Sequence, residues 1–388
     1  MEKIQNFISG KIDLLLQKNK KIFKLERYRF KFLGEGSFGI IYKVMGEGNT
    51  IIVKIMKKED AEPKKCLKIK EKIASLKDAE KINLIEKYVT NILDVKLGIP
   101  NEVIFMEYLD GQDLSDFLRD EEDIDEELFY ILVSKVLLAV MAFHQILKYS
   151  HRDLKLGNIF YNPVEKNVKL IDFGFACTFN DYNCYNRYQG TSVYIHPKMN
   201  KKMLNNFNGI GNLKGIKSKK NNLSKKRKSI KKLSSNSSND FSSFPKPRSQ
   251  DIFSLIIIIF KMYSFINYEN NLTAEEIKLN ELLKRLFSHS HKNLNRKEKF
   301  SLRYNKKNKF FERLKTIKAK NIGNNLIKQL IIIIQQNWNL TENNFINSSK
   351  RDKSKKIFYD ILEISIKGIN NEEVRSELTD DKNIIYSK

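Results

Sequence analysis

The sequence predicts a protein of the α+β class, in which a small antiparallel sheet precedes a larger, mainly helical part. Three observations predict it. A glycine-rich run, Gly34-Glu35-Gly36-Ser37-Phe38-Gly39, leads into two β-branched and aromatic runs at 40–44 and 51–55, separated by turn residues from Gly46 to Asn49. A strongly apolar stretch at 128–147 reads as a buried helix, and isoleucine-rich helical stretches follow at 255–260 and 330–334. Residues 199–247, dominated by Asn, Lys and Ser, hold little to bury and interrupt the helical part as a disordered insertion.

Two further stretches carry the chemistry: His151-Arg152-Asp153-Leu154-Lys155-Leu156-Gly157-Asn158, then Ile171-Asp172-Phe173-Gly174. On these residues the chain resembles the eukaryotic protein kinases, whose signature is H-R-D-L-x-x-x-N with D-F-G, and the resemblance runs from about residue 28 to about 362. Lys155, two residues past Asp153, is similar to the serine/threonine class. The resemblance implies a bilobal kinase fold, a small antiparallel β-sheet lobe with one helix and a larger mainly α-helical lobe. It also implies transfer of the γ-phosphoryl of Mg-ATP to Ser/Thr hydroxyls of protein substrates. In that reaction position and charge do the work: Asp153 accepts the hydroxyl's proton, Lys155 balances charge on the moving phosphate, and Asn158 and Asp172 hold Mg2+. The run Asp153 to Asn158 resembles Polo-like kinases, whereas Asp172 to Ala176 resembles the calmodulin-dependent-kinase group, so the subfamily stays open.

Taken in order, residues 1–25 alternate lysines with Ile4, Phe7, Ile8, Ile12, Leu14, Leu15 and Leu16, as in a helix packed on the smaller lobe. The glycine spacing alone also opens dinucleotide-binding folds; the hairpin that follows makes it a flap over ATP, because a dinucleotide fold needs a helix there. The resemblance then gives Leu33, Gly34, Glu35, Gly36, Ser37, Phe38, Gly39 and Ile41 as nucleotide contacts, and Lys54 as the lysine of the α- and β-phosphates. Ile52 stands where the family has alanine above the adenine. Lys54 needs a carboxylate from the next helix, expected over residues 63–87. Ile69, Ile73, Leu76, Glu80 and Leu84 step by four, three, four and four, so Glu80 shares the buried stripe and is the expected partner, with Glu71 in reserve. The strand at 103–109 leads into the connector; by resemblance the backbone of Glu107 and Leu109 bonds the adenine edge, Met106 guards the back pocket, Asp113 approaches the ribose and Phe160 lies under the adenine. The acidic run 120–127 reads as a solvated helix start, and His144 on the apolar helix as a packed histidine.

Residues 190–198, Gly-Thr-Ser-Val-Tyr-Ile-His-Pro-Lys, match the family's G-T-x-x-Y-x-A-P-E with two departures, His196 and Lys198. Thr191 is expected to orient Asp153 and Lys155. Lys198 cannot pair with the family's buried arginine, here Arg351, because both are cations, so this segment needs a different anchor. No Ser or Thr lies between Thr178 and Thr191, and Arg187 stands where a phosphorylated threonine would be expected, so activity without Ser/Thr phosphorylation of that stretch is expected. Asp251-Ile252-Phe253-Ser254 resembles the family's D-x-W-S, with Asp251 bonding the catalytic loop backbone. The expected division is an extension at 1–25, small lobe at 26–108, large lobe at 109–198 and 248–367 around the insertion 199–247, and a polar tail at 368–388.

Composition sets the partners. The 388 residues suffice for two lobes plus extras, and 41% apolar content supports a core. Net charge is +25, and it is regional: residues 200–247 hold 13 Lys/Arg against Asp240 alone, and residues 291–320 hold 12 against Glu298 and Glu312. The first region carries few aromatics, so it suits acidic partners or, through Lys225 to Lys228, an import receptor; nucleic-acid binding is not expected as a main function. Three cysteines make neither a disulfide framework nor a four-ligand zinc site, and the isoleucine-rich runs are short and soon interrupted, so a cytoplasmic or nuclear monomer without a membrane span is expected. The alternative reading is a nucleotide-binding pseudokinase acting as a scaffold, which Ile52 and Lys198 would suit.

Overall fold

The computed structural model describes residues 28–36, 39–46, 49–56, 61–98, 101–121, 124–179, 181, 190–196, 247–266, 272–288, 296–337 and 351–387. Residues 1–27, Ser37, Phe38, Arg187, Lys198 and the expected insertion up to residue 246 lie outside them. The α+β class expected from the sequence is what the structure shows. The chain forms two compact units: one holds the described residues up to His151, Leu156–Thr178 and those from Ser365 on, the other Arg152–Lys155 and Phe179–Ile364.

The first unit carries a five-stranded antiparallel sheet in the order β1-β2-β3-β5-β4, with β1 Arg29–Glu35, β2 Gly39–Gly46, β3 Asn49–Met56, β4 Ile92–Lys96 and β5 Val103–Glu107. Alternation along the strands sends Val44, Val53, Ile55, Val103 and Phe105 into one apolar cluster. Lys54, between Val53 and Ile55, therefore projects from the other face. Gly39 is where β2 runs closest to β3: a Cβ there would stand 2.6 Å from the Ile55 carbonyl oxygen, a contact only glycine avoids.

The helix expected over 63–87 is two helices, α1 Glu62–Ala74 and α2 Ala79–Tyr88. Asp78 ends the continuity, because its carboxylate accepts the Lys81 backbone N–H at 3.2 Å and caps a new helix. After α3 (Leu114–Asp120) comes α4 (Glu126–Gln145), buried at every position from Phe129 to His144. Its length and apolarity would suit a membrane span, but here it is the spine of the core. Short strands β6 Gln112–Asp113, β8 Ile159–Asn162 and β9 Asn167–Leu170 form a second sheet, and β7 Tyr149–Ser150 pairs with β10 Cys177–Thr178.

In the second unit, α5 (Pro247–Tyr263), α6 (Ala274–Phe287), α7 (Arg296–Leu314) and α8 (Asn325–Asn337) supply the core; α9 (Arg351–Lys367) then leads back to the first. Much of the basic stretch 291–320 is α7, which buries Phe310 and Phe311 against α5, with Phe253 5.7 Å from Phe311 and Phe260 5.4 Å from Phe310.

The polar tail expected at 368–388 is a correction: Glu372–Tyr386 is a helix, α10, capped by Asn371 and burying Leu378, Asp381, Lys382 and Ile385. It packs on α2 and α4 within the first unit. Tyr88 donates its hydroxyl to Asp381, whose carboxylate also takes the Lys87 amine at 2.6 Å, and Lys87 reaches Glu377 at 2.7 Å. Val374, Leu378 and Ile385, spaced four and seven apart, are the apolar signal; it is sparse because the position between the last two is the buried carboxylate of Asp381.

Candidate active site

In the first unit, Lys54 is 8% exposed, and its amine lies 2.6 Å from Glu62 Oε1 and 3.8 Å from Asp172 Oδ1. Burial alone would lower the amine's pKa; the carboxylates of Asp172 and then Glu62 outweigh it and hold the amine above its ordinary value. Glu62 corrects the expectation for Glu80. The spacing argument carried a helical stripe through Asp78, where the structure breaks the helix, so Glu80 falls in the exposed first turn of α2 and Glu71 is exposed on α1. Glu62 opens α1 one residue before the range expected for the helix. Its signal was Pro63 directly after it, since proline at a first helical turn marks where a helix begins. Cys66, one turn further along α1, is a buried free thiol whose pKa burial pushes up, as does neighbouring Glu62.

Asp172 follows β9 with φ 64°, a left-handed backbone that only a surrounding network holds for a non-glycine residue. Part of that network is visible. Phe173 is buried, stacked on Phe143 at 5.5 Å and 14°, with His151 edge-on at 5.9 Å. His151 Nε2 lies 2.9 Å from the Ile171 carbonyl oxygen, and the Gly174 N–H donates to Asp172 Oδ1 at 3.2 Å. Lys65 donates to the Gly174 carbonyl. Asn158 ends a short 3-10 turn, is buried, and its carbonyl accepts the Ile171 N–H at 3.1 Å, which ties it to the strand that delivers Asp172.

The expected nucleotide contacts among the described residues sit on this same unit. Ile52 pairs with Met106 across β3 and β5, and Ile41 with Lys54 across β2 and β3. Glu107 is pinned by its side chain, which accepts from Lys169 and from the Asn91 N–H at 2.7 Å each, leaving its backbone in a fixed position. Asp113 caps α3, its Oδ1 accepting from the Ser115 and Asp116 N–H groups at 2.9 and 3.0 Å. Phe160 is half-buried on β8, and Leu33 is exposed at a bulge in β1. A Cβ added at Gly34 or Gly36 would meet nothing within 4 Å, so the backbone there borders open space that a phosphate can approach closely. That openness, with the Lys54 amine, fits a nucleoside triphosphate. One amide oxygen donor, Asn158, and one carboxylate, Asp172, whose side chain is 41% exposed, fit Mg2+, a hard cation that keeps several waters and binds few protein oxygens.

In the second unit, Asp153 is 7% exposed, and its Oδ1 accepts from both the Thr191 N–H at 2.7 Å and the Thr191 hydroxyl at 3.0 Å. Lys155 Nζ lies 3.5 Å from Asp153 Oδ2. Arg152 holds φ 67°, and its N–H donates to the buried Asp251 at 2.7 Å. Gly190 has φ +107°, and a Cβ there would stand 2.7 Å from the Arg152 carbonyl oxygen, so only glycine lets Thr191 come this close to Asp153. The set offers an oriented carboxylate with an amine beside it, the parts needed to take a proton from a hydroxyl and steady a developing negative charge.

A family model described as "Protein kinase domain" matches residues 28–205. The chain is 30% identical over 170 residues to serine/threonine-protein kinase dst1 of Dictyostelium discoideum, covering 43% of this chain and 22% of that protein. It is 29% identical over 177 residues to the probable serine/threonine-protein kinase nek2 of the same organism, covering 43% and 41%. It is 32% identical over 181 residues to cyclin-dependent kinase-like 1 of Caenorhabditis elegans, covering 45% and 48%. The matched stretch thus spans less than half the length of each of these curated relatives.

Proposed function

We propose that residues 28–205, which match the protein kinase domain model and are similar to serine/threonine-protein kinases, form such a domain, and that the chain is a working kinase, which moves the γ-phosphoryl of ATP to Ser/Thr hydroxyls of proteins. The observation that carries this reading is the Asp153 carboxylate, oriented by the Thr191 N–H at 2.7 Å and the Thr191 hydroxyl at 3.0 Å, a proton acceptor that nucleotide binding alone does not use. Magnesium, when bound with the nucleotide, supplies positive charge that neutralises the triphosphate. Asp153, oriented by Thr191, takes the acceptor hydroxyl's proton while that oxygen bonds to the γ-phosphorus and the bond to the bridging oxygen breaks, releasing ADP. Lys155 offsets charge on the phosphoryl in transit, Lys54 places the α- and β-phosphates, and Asn158 and Asp172 would hold the metal.

The test is radiolabelled ATP with a basic protein substrate, comparing the intact chain with Asp172→Asn. Labelling by the intact chain that the variant loses supports turnover. Equal labelling by both sinks it, and nucleotide binding without labelling by either favours the scaffold reading that Ile52 and Lys198 suit. The further parts of this reading are a monomeric protein of the cytoplasm or nucleus, with residues 199–247 as an insertion that contacts acidic partners or an import receptor. A fluorescent fusion lacking Lys225 to Lys228 that localises like the intact protein would remove the import role.

A further inference from the structure

A carboxylate ends this segment in the kinase family, and here Lys198 takes that place, so something else must hold residues 190–196. Lys198 itself lies outside the described residues. Resting on the kinase reading above, we propose that Lys307, with Arg303 one turn earlier on α7, is the positioning group that fixes this peptide-docking segment and through it the orientation of Asp153.

Several backbone groups of residues 192–196 are held from α5 and α7. Lys307 Nζ donates to the carbonyl oxygens of Ser192 at 2.8 Å and Ile195 at 2.6 Å. Arg303 donates to the Ser192 hydroxyl. From α5, Ser254 and Gln250 donate to the Tyr194 carbonyl at 2.9 and 3.2 Å, and Gln250 Oε1 accepts the His196 N–H at 2.9 Å. A turn from the Tyr194 N–H to the Thr191 carbonyl at 2.9 Å closes the segment on itself. Lys307 thus straddles the turn, bonding carbonyls three residues apart.

Two features argue that this lysine is retained for what it holds. It is 1% exposed, and among the described residues no carboxylate pairs with it. A buried ammonium without a counter-charge is costly, and burial, followed by the nearby Arg303 charge, drives its pKa well below the ordinary value. What it has instead is the two carbonyls and the ring of Phe253, 5.8 Å from its amine, which also meets His196 edge-on at 5.3 Å. The link to the reaction is one residue long: Thr191, which donates twice to Asp153, directly precedes Ser192, which Lys307 and Arg303 grip at its carbonyl and its hydroxyl. If the turn slides, Thr191 and the Asp153 carboxylate slide with it.

The experiment uses the full chain with Lys307→Met, Lys307→Arg and Arg303→Gln, measuring nucleotide affinity, peptide kcat and KM, and hydrogen exchange of amides 191–196. Methionine keeps the volume and removes the donors. Lys307→Met should leave nucleotide affinity within about twofold, lower peptide kcat/KM by about 100-fold through both kcat and KM, and speed exchange across 191–196. Lys307→Arg, still a multiple donor, should recover about tenfold of that loss, and Arg303→Gln should raise peptide KM several-fold at nearly unchanged kcat. Peptide kcat/KM within about threefold of the parent for Lys307→Met overturns the proposal, as does a loss shared equally by nucleotide affinity and thermal stability. If Lys307→Met does not fold, Arg303→Gln decides, and an unchanged peptide KM overturns it. Exchange separates this idea from the kinase reading, because the amides of 191–196 respond to Lys307→Met even in a chain that phosphorylates nothing.

Discussion

Lys54 shows how three side chains divide one task. Its amine keeps its charge only because Asp172 and Glu62 oppose burial, and a raised folded pKa means that this pair's contribution to stability is whole below 10.5 and fades as pH climbs through the raised value. Glu62→Gln weakens that hold, and phosphotransfer should fall by roughly 10- to 100-fold, whereas Glu80→Gln, at an exposed helix start, should stay within about twofold. Steady-state kinetics of the two variants side by side would separate them; equal losses would mean that Glu62 is not the lysine's working partner. Gly190→Ala would put a methyl 2.7 Å from the Arg152 carbonyl at φ +107°, so urea unfolding should show a loss of about 1–3 kcal/mol, together with lower turnover. The sequence disclosed Lys54, Asp153, Asn158 and Asp172 because each sits in a short motif whose spacing is local. It did not disclose Glu62, because the helix expected from the sequence began one residue after it, and the stripe that favoured Glu80 ran through Asp78, where the helix breaks and a new one is capped.

Elements follow the same division. Strands β2, β3 and β5 and the long helix α4 were legible, since alternation and a long unbroken apolar run survive any tertiary context. Helix α10 was not, because it buries an aspartate and a lysine and so reads as polar. Its seat rests on ionisable groups. Burial works against the charged form of Glu377, but its bond to Lys87, the charge of Lys135 and that of Lys87 hold its pKa below the ordinary 4.5. A lowered folded pKa gives stability that is complete above 4.5 and drains away as pH drops through the lowered value, so protection of amides 372–386 against exchange should decline in acid sooner than that of α4. Asp381→Ala strips the acceptor from the buried Tyr88 hydroxyl and from Lys87, and should cost about 1–3 kcal/mol in urea unfolding. Unchanged stability would show that water replaces the carboxylate without loss.

For the molecule as a whole, the +25 charge is concentrated, with a surplus of 12 positive charges in residues 200–247. Removing 200–246 should lower the salt at which the protein leaves a heparin column while nucleotide affinity stays as it was. A parallel fall in nucleotide affinity would show that the basic stretch supports the domain itself. The overall class was readable from sequence because it depends on periodicity; the boundaries of the two units were not, because they join stretches far apart along the chain.

The carboxylate that receives Tyr88 is 293 residues further along the chain. During synthesis at about 5–20 residues per second, α2 emerges from the ribosome roughly 15–60 s before its partner exists. Throughout that interval the nascent first unit presents an unfinished face, which closes only once α10 has been made.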